Sequence, residues 1–381
     1  FMPNGNGLIV GDAGDLYGIT SGGGEDGLGT VFTIRTDGSG FSLLRSFAGG
    51  STDGSYPLGA LVSDGTGHLY GATLRGGAAS GYGTVFTIGM DGLGYAVLHS
   101  CAGVADGGGP VGGLVSGGDG KLYGATALGG TFNQGTVFAI QPDGGGFAVL
   151  HSFAGGSLDG RRPQSGLIVD VAGNLYGTTG YGGAADSGTV FTVKTDGSGF
   201  AVLHSFGGSP DGARPNAALV ADTLGYLYGT TLLGGAANLG TVFRIRMDGT
   251  EFAVLHSFTG GSGDGSSPSG LTCDGQGSLY GTTRNGGSWF GGTVFTIRTD
   301  GTGYALLHQF SGSSDGWEPR GGLLLDATGN LFGTTSSGNT LFTLRTDGSG
   351  FAALFRFMLP YGSRPECDLV TDGAGNLYGT T

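Results

Sequence analysis

Residues 163–206 read PQSGLIVDVAGNLYGTTGYGGAADSGTVFTVKTDGSGFAVLHSF. Four short β-prone segments lie in this stretch, each closed by turn residues. The segment Pro163 to Asp170 is a short apolar strand, A. Asp170 to Asn174, with Gly173 inside it, is a tight turn. Leu175 to Thr179 is strand B, and a loop carrying Gly182-Gly183 follows. Thr189 to Lys194 alternates apolar and polar residues as strand C. Asp196-Gly197-Ser198-Gly199 is a strong hairpin signal, and Phe200 to Phe206 is strand D. A longer Gly/Asp loop then leads to the next copy.

Working outward, Leu-Tyr-Gly recurs at Leu16, Leu69, Leu122, Leu175, Leu227 and Leu279, becomes Leu-Phe-Gly at Leu331, and returns at Leu377. Subtraction gives steps of 53, 53, 53, 52, 52, 52 and 46 residues. A period of this size marks an array of one supersecondary unit. Four antiparallel strands per unit, short turns inside and a longer link between units, describe a propeller blade. Small residues beside strand A (Gly59-Ala60, Gly112-Gly113, Ala217-Ala218, Gly321-Gly322) suit a crowded central channel. The expected fold is an all-β propeller of about 52-residue four-stranded blades, forming one repeat domain over residues 1–381. A parallel β-helix is the competing fold, but its rungs are shorter and lack such hairpin turns.

The A–B hairpin appears eight times, the last from Asp368 to Thr381, and the C–D hairpin seven times. These are seven and a half repeats: eight sectors with the last incomplete, or seven blades plus a spare hairpin. The unpaired half-repeat invites strand addition from a neighbouring molecule. A longer array, of which this chain is a piece, is the other explanation.

Composition narrows the function. Glycine is 90 of 381 residues without a Gly-X-Y register, which excludes collagen. Hydrophobic residues at 38%, with 23 Phe and 14 Tyr, supply a core and argue against disorder. Net charge is −13, the pI is about 4.6, and Lys121 and Lys194 are the only lysines, which excludes a nucleic-acid partner. No apolar run reaches membrane-helix length, so no membrane insertion is expected. No signal peptide is visible at Phe1, as expected if one has been removed. Cys101, Cys273 and Cys367 lack metal-ligand spacing and substitute for apolar residues, with an intersubunit bridge as the alternative.

Histidines recur in register at His99, His151, His204, His256 and His308, with Arg45 and Arg356 in the first and seventh copies. Equivalent positions on successive blades diverge outward, so these are read as packed structural residues rather than a metal ring. His68 stands alone in a turn. Aspartates recur after strand A (Asp64, Asp170, Asp326, Asp372), in the C–D turn (Asp37, Asp91, Asp143, Asp196, Asp248, Asp300, Asp347) and in the D–A loop (Asp53, Asp106, Asp159, Asp211, Asp264, Asp315). Calcium needs about 6–8 oxygen ligands, and no Asp-x-Asp-x-Asp run gathers them. Asx-turns account for all three sets. No nucleophile elbow or phosphate loop stands out. Glu25, Asp26, Asp186, Glu251, Glu318 and Glu366 break the symmetry without an evident partner. The expectation is therefore no catalytic residue, no metal, no cofactor and no enzyme activity.

The copies differ in the B–C and D–A loops, which emerge on one face of a propeller. These loops carry Leu74-Arg75, Phe132-Asn133-Gln134, Tyr181, Leu232-Leu233 and Trp289-Phe290, then Tyr56, Arg161-Arg162, Arg214, Trp317-Glu318 with Arg320, and Arg364. Aromatics plus arginines are what interfaces enrich. Tyr181, Trp289, Phe290, Trp317, Arg162 and Arg214 are the candidate binding residues.

The unit Asp-x-x-Gly-Asn-Leu-Tyr-Gly-Thr-Thr, a Gly-Gly loop, Gly-Thr-Val-Phe, Asp-Gly-x-Gly-Phe and Leu-His-Ser-Phe resembles the GloVer tandem repeats of bacterial surface proteins. Asp170 to Phe206 shows it almost in full. The Asp-x-x-Gly-x-Leu-Tyr-Gly-Thr core is also similar to two-component-regulator propeller repeats. The resemblance implies export and display at the cell surface, and no established activity. The expected function is a non-catalytic extracellular scaffold or adhesive propeller, self-associating into a filament or stack through its half-repeat. The alternative is a carbohydrate- or peptide-binding propeller using the variable loops, and a lyase or hydrolase ranks below both.

Overall fold

The computed structural model describes residues 8–11, 15–78, 81–312, 314–357, 368–371 and 376–380. Arg364, Glu366, Cys367 and Asp372 lie outside the described residues. The chain is an all-β propeller of seven four-stranded blades, with no helix among the described residues. In blade 2, strands A to D are Gly54–Ser63, His68–Gly76, Thr84–Gly89 and Ala96–Ser100, hydrogen-bonded in that order. The other blades repeat this meander. In blades 4, 5 and 7 strand A is broken in two, as in Gly160–Pro163 with Ile168–Val169.

The Leu-Tyr-Gly ruler is a packing motif. On strand B the Leu and Tyr point to opposite faces. Gly71 lies opposite Phe86 of strand C. A Cβ on Gly71 would stand 2.6 Å from the Phe86 ring and 2.9 Å from Leu61, so the glycine makes room for the ring. Each blade then offers two apolar faces. Tyr17, Ile19, Val31 and Phe47 of blade 1 meet Leu61, Leu69, Phe86 and Ile88 of blade 2. The same sets recur between blades 2 and 3, 3 and 4, 5 and 6, and 6 and 7. Near the channel the inner strands nearly touch. A Cβ on Gly112 (φ +73°) would collide with the backbone of Ser165 and Gly166.

Strand D closes each of these interfaces. The His151 ring stacks on Phe200 of the next blade, with centroids 3.4 Å apart and planes within 6°. His99, His204, His256 and His308 stack in the same way on Phe147, Phe252, Tyr304 and Phe351. The Nε2 atoms lie 2.8–3.2 Å from Asp106, Asp159, Asp211, Asp264 and Asp315. In blade 1 Arg45 takes the histidine place, 4.0 Å above the Tyr95 ring and 2.6 Å from Asp53. Blade 7 corrects the sequence alignment. Phe355, opposite Leu341, takes the histidine place, and Arg356, opposite Thr340, takes the place of the following Ser. Its strand D, Ala352–Arg356, is exposed along its length, with Leu354 at 48% and Phe355 at 47%.

The aspartate sets divide. After strand A, Asp170 accepts the Ala172 and Asn174 amides, and in the C–D turn Asp196 accepts that of Ser198, as Asx-turns do. The D–A set differs from expectation. These carboxylates tie the loop to the strand D His or, in blade 1, Arg45, and Asp159 also accepts the Ala154 amide five residues back. Cys101 is buried and free, and burial pushes its thiol up to about 12. Cys273 is also free.

The backbone divides into two compact units. The first holds blades 1 to 3, most of blade 4, and a terminal two-stranded hairpin, Val370–Thr371 with Leu377–Tyr378. Within it, Val370–Thr371 packs on strand A of blade 1, Ile9–Val10, and the Tyr378 hydroxyl donates to the Thr36 carbonyl at 2.9 Å. The second holds blades 5 to 7, and there the Gly322 amide donates to Asp368 at 2.5 Å.

Candidate functional site: the loop face

Within each unit the D–A and B–C loops meet at the same end of the blades. The residue before the strand A proline donates its amide to a B–C loop carbonyl of the preceding blade. The pairs are Tyr56 to Leu28, Gly109 to Tyr82, Arg162 to Gln134, Arg214 to Ser187, Ser267 to Leu239 and Glu318 to Gly291, at 2.7–2.9 Å. All six donors are left-handed. Glycine fills the place only in blade 3, and Tyr56, Arg162, Arg214, Ser267 and Glu318 adopt φ of 55–56°. The left-handed region costs a side-chain-bearing residue about 1–2 kcal/mol. A chain this rich in glycine thus places bulky side chains where glycine is the relaxed choice, and such outliers cluster at functional sites. Phe290, at φ 57°, is a second case, in a B–C loop.

The candidate residues fall into separate groups. In the first unit, Tyr181 closes strand B of blade 4 with the Arg161 and Arg162 guanidinium carbons 4.8 and 6.0 Å from its ring centroid. Arg162 is exposed. In the second unit, Trp289 and Phe290 stand at the tip of the blade 6 B–C loop, 64% and 71% exposed, and Trp317 begins blade 7, 48% exposed. The bond from Glu318 to Gly291 holds these two loops side by side. Arg214 opens blade 5, exposed.

Two of the acids expected to lack partners have them. Glu318 receives Arg320 Nη2 at 3.0 Å. Glu251, outside the loop face, accepts the Tyr226 hydroxyl at 2.6 Å and lies 3.6 Å from Arg246. Among the described residues no group of three or more His, Cys, Asp or Glu is placed to hold a metal ion.

With the blade geometry established, comparison with known proteins becomes informative. The Gloeobacter/Verrucomicrobia repeat matches residues 2–170, 156–340 and 243–381, which together cover nearly the whole chain. The chain belongs to this repeat family. Each match spans about three of the seven blades, and the third includes the terminal hairpin, a further A–B half. No curated protein matches the chain. Among solved structures it is similar to a putative 6-phosphogluconolactonase of Bacteroides fragilis (TM-score 0.56, 15% identity, 93% of this chain and 96% of that one). It is also similar to a puromycin-hydrolysing peptidase of Mycobacterium tuberculosis (0.58, 12%, 95% and 56%) and to the virginiamycin B lyase of Staphylococcus aureus (0.51, 12%, 90% and 92%). At these identities the likeness is one of fold, and fold does not carry activity.

Sequence reasoning missed Arg284 and Gln309. Arg284 follows Thr282-Thr283 where other copies have Leu74, Ala127, Gly180 and Leu232, and Gln309 replaces the Ser after the blade 6 histidine. Both were visible as departures from the repeat.

Proposed function

We propose that this Gloeobacter/Verrucomicrobia repeat protein is a non-catalytic binding propeller, acting as an extracellular adhesive or scaffold module through its loop face. The observation that carries the reading is the display of exposed aromatic side chains at or beside left-handed loop residues: Phe290 is itself left-handed, next to Trp289, and Trp317 precedes the left-handed Glu318. Trp289, Phe290 and Trp317 are held by a backbone lattice that repeats from blade to blade, while the side chains on it vary. A constant frame with variable contacts suits recognition, as aromatic anchors dominate binding energy. The surface location rests on the resemblance to exported repeat proteins. The propeller neighbours include enzymes, but among the described residues the recurring loop-face carboxylates are engaged within the fold. Asp159, Asp264 and Asp315 are engaged by the strand D histidines and by loop amides.

Self-association through the terminal hairpin has less behind it. Val370–Thr371 and Tyr378 are occupied on the chain's own first blade, so exchange between copies requires their release. Light scattering reads this directly: a concentration-dependent oligomer abolished by Tyr378→Phe supports exchange, and a monomer at all concentrations sets it aside. The binding reading is tested by presenting the purified protein to a panel of cell-surface glycans and proteins. Capture of a partner that is lost in the Trp289→Ala, Trp317→Ala double variant is the expected result. Undiminished capture by a folded double variant overturns the loop-face assignment.

A further inference from the structure

Each C–D hairpin covers two surfaces at once. Its strand C phenylalanine fills the space over the Leu-Tyr-Gly glycine of its own blade. A Cβ on any of these glycines, from Gly18 to Gly333, would stand 2.5–2.7 Å from that ring. In blades 2 to 6 its strand D histidine also lies on the aromatic residue after the C–D turn of the next blade, as His151 does on Phe200. The covered positions are shielded accordingly. The glycines from Gly18 to Gly333 are buried. In blades 2 to 6 the receiving aromatic and the residue two further on are half-buried, as with Tyr95 and Val97 or Tyr304 and Leu306.

The terminal hairpin sits on blade 1 as a preceding blade would. Val370–Thr371 packs beside Ile9–Val10 as neighbouring inner strands do. Tyr378 reaches Thr36 of the blade 1 C–D turn as Tyr123 reaches Thr195 and Tyr228 reaches Thr299. Yet among the described residues its sheet has two strands, where every blade goes on to a third and a fourth. The surfaces that a C–D hairpin covers elsewhere are open here, all within the first unit. Gly379 is exposed and Leu377 only half-buried, whereas the seven earlier copies bury both residues. On blade 1, Phe41 and Leu43 are 61% and 51% exposed.

We propose that the terminal hairpin, seated on blade 1, is a docking site for a C–D half-repeat carried by a second polypeptide. The incoming strand C adds beside Leu377–Tyr378, its phenylalanine takes the space over Gly379, and its strand D histidine lies on Phe41. Main-chain bonds then give affinity and the alternate side chains give specificity. Continuity with the established interfaces chooses this occupant, because Gly379 and Phe41 are the two positions that a C–D hairpin covers in the other blades. A second copy of this chain has no such hairpin to spare. Among the described residues each of its C–D hairpins is paired with its own strand B. The terminal hairpin keeps its place on blade 1 throughout, so docking requires no release of Tyr378 from Thr36.

This inference is independent of the loop-face reading and stands or falls separately. The probe is a synthetic peptide of residues 188–206, GTVFTVKTDGSGFAVLHSF. Calorimetric titration into the intact protein should show a single saturable site per chain, with slowed hydrogen exchange at residues 376–380. Peptides carrying Phe191→Ala or His204→Ala should each bind about tenfold or more weakly. Phe41→Ala in the protein should weaken the unaltered peptide to the same extent at unchanged melting temperature, because the ring is exposed. Failure of the unaltered peptide to bind overturns the inference. So does binding indifferent to both His204→Ala and Phe41→Ala, or protection that leaves residues 376–380 exchanging as before. A dimer of the protein alone that the peptide dissociates would make a second copy the occupant and overturn the choice of partner.

Discussion

Asp264 shows how one side chain serves structure in this family. Burial raises its carboxyl, yet His256, the Tyr304 hydroxyl and the Thr259 amide outweigh that and bring it down to about 2 from its ordinary 3.8. A carboxyl lowered by folding contributes stability that is present above 3.8 and lost as the pH falls toward 2. The melting temperature should therefore drop across that window, and Asp264→Asn should be less stable at neutral pH with a flatter acid limb. An identical acid limb in the variant would show that Asp264 is not a main source of acid sensitivity. The left-handed positions give a second residue-scale prediction. Glu318→Gly relieves strain at φ 55° and should stabilise the fold by roughly 0.5–1 kcal/mol in denaturant titration. A loss of stability would mean that the Arg320 pair outweighs the strain.

At the scale of the blade, buried and uncovered positions of the same motif should respond very differently. Phe258, fully buried between blades 5 and 6, should cost about 3–5 kcal/mol on replacement by Ala. Leu354, on the uncovered strand D of blade 7, should cost no more than about 0.5 kcal/mol. A large loss at Leu354 would reveal packing on that strand absent from the structure. Gly71→Ala should destabilise by about 1–3 kcal/mol, because its Cβ meets the Phe86 ring and Leu61.

Much of this was legible in the repeat itself. Strand boundaries followed from the turn glycines, and the glycine of Leu-Tyr-Gly is fixed by a cross-strand ring. The His–Asp pairs escaped because strand D and the D–A loop sit seven or eight residues apart, a spacing that no regular element makes meaningful. Arg356 was misplaced for a related reason. Matching charge to charge overrode the motif, in which Phe351 to Phe357 aligns Phe355 with His204, and the register of Leu341 with Phe355 agrees.

At the scale of the molecule, repetition separates what supports from what distinguishes. The A–B and C–D turns are capped by the same aspartates in copy after copy. The loop end keeps its backbone bonds and changes its side chains, and the changes accumulate around Trp289, Arg284, Gln309 and Trp317. Such a site was only partly readable in advance, because Trp289 and Trp317 lie 28 residues apart and are joined by the Glu318–Gly291 bond. If the loop end is the working surface, a bound partner must cover it. Hydrogen exchange on the protein with and without its captured partner tests this most directly. The account predicts slowed exchange at residues 284–292 and 314–320, with the turns at 222–226 and 248–251 unchanged. Protection confined to those turns, with the loops exchanging as before, would contradict it.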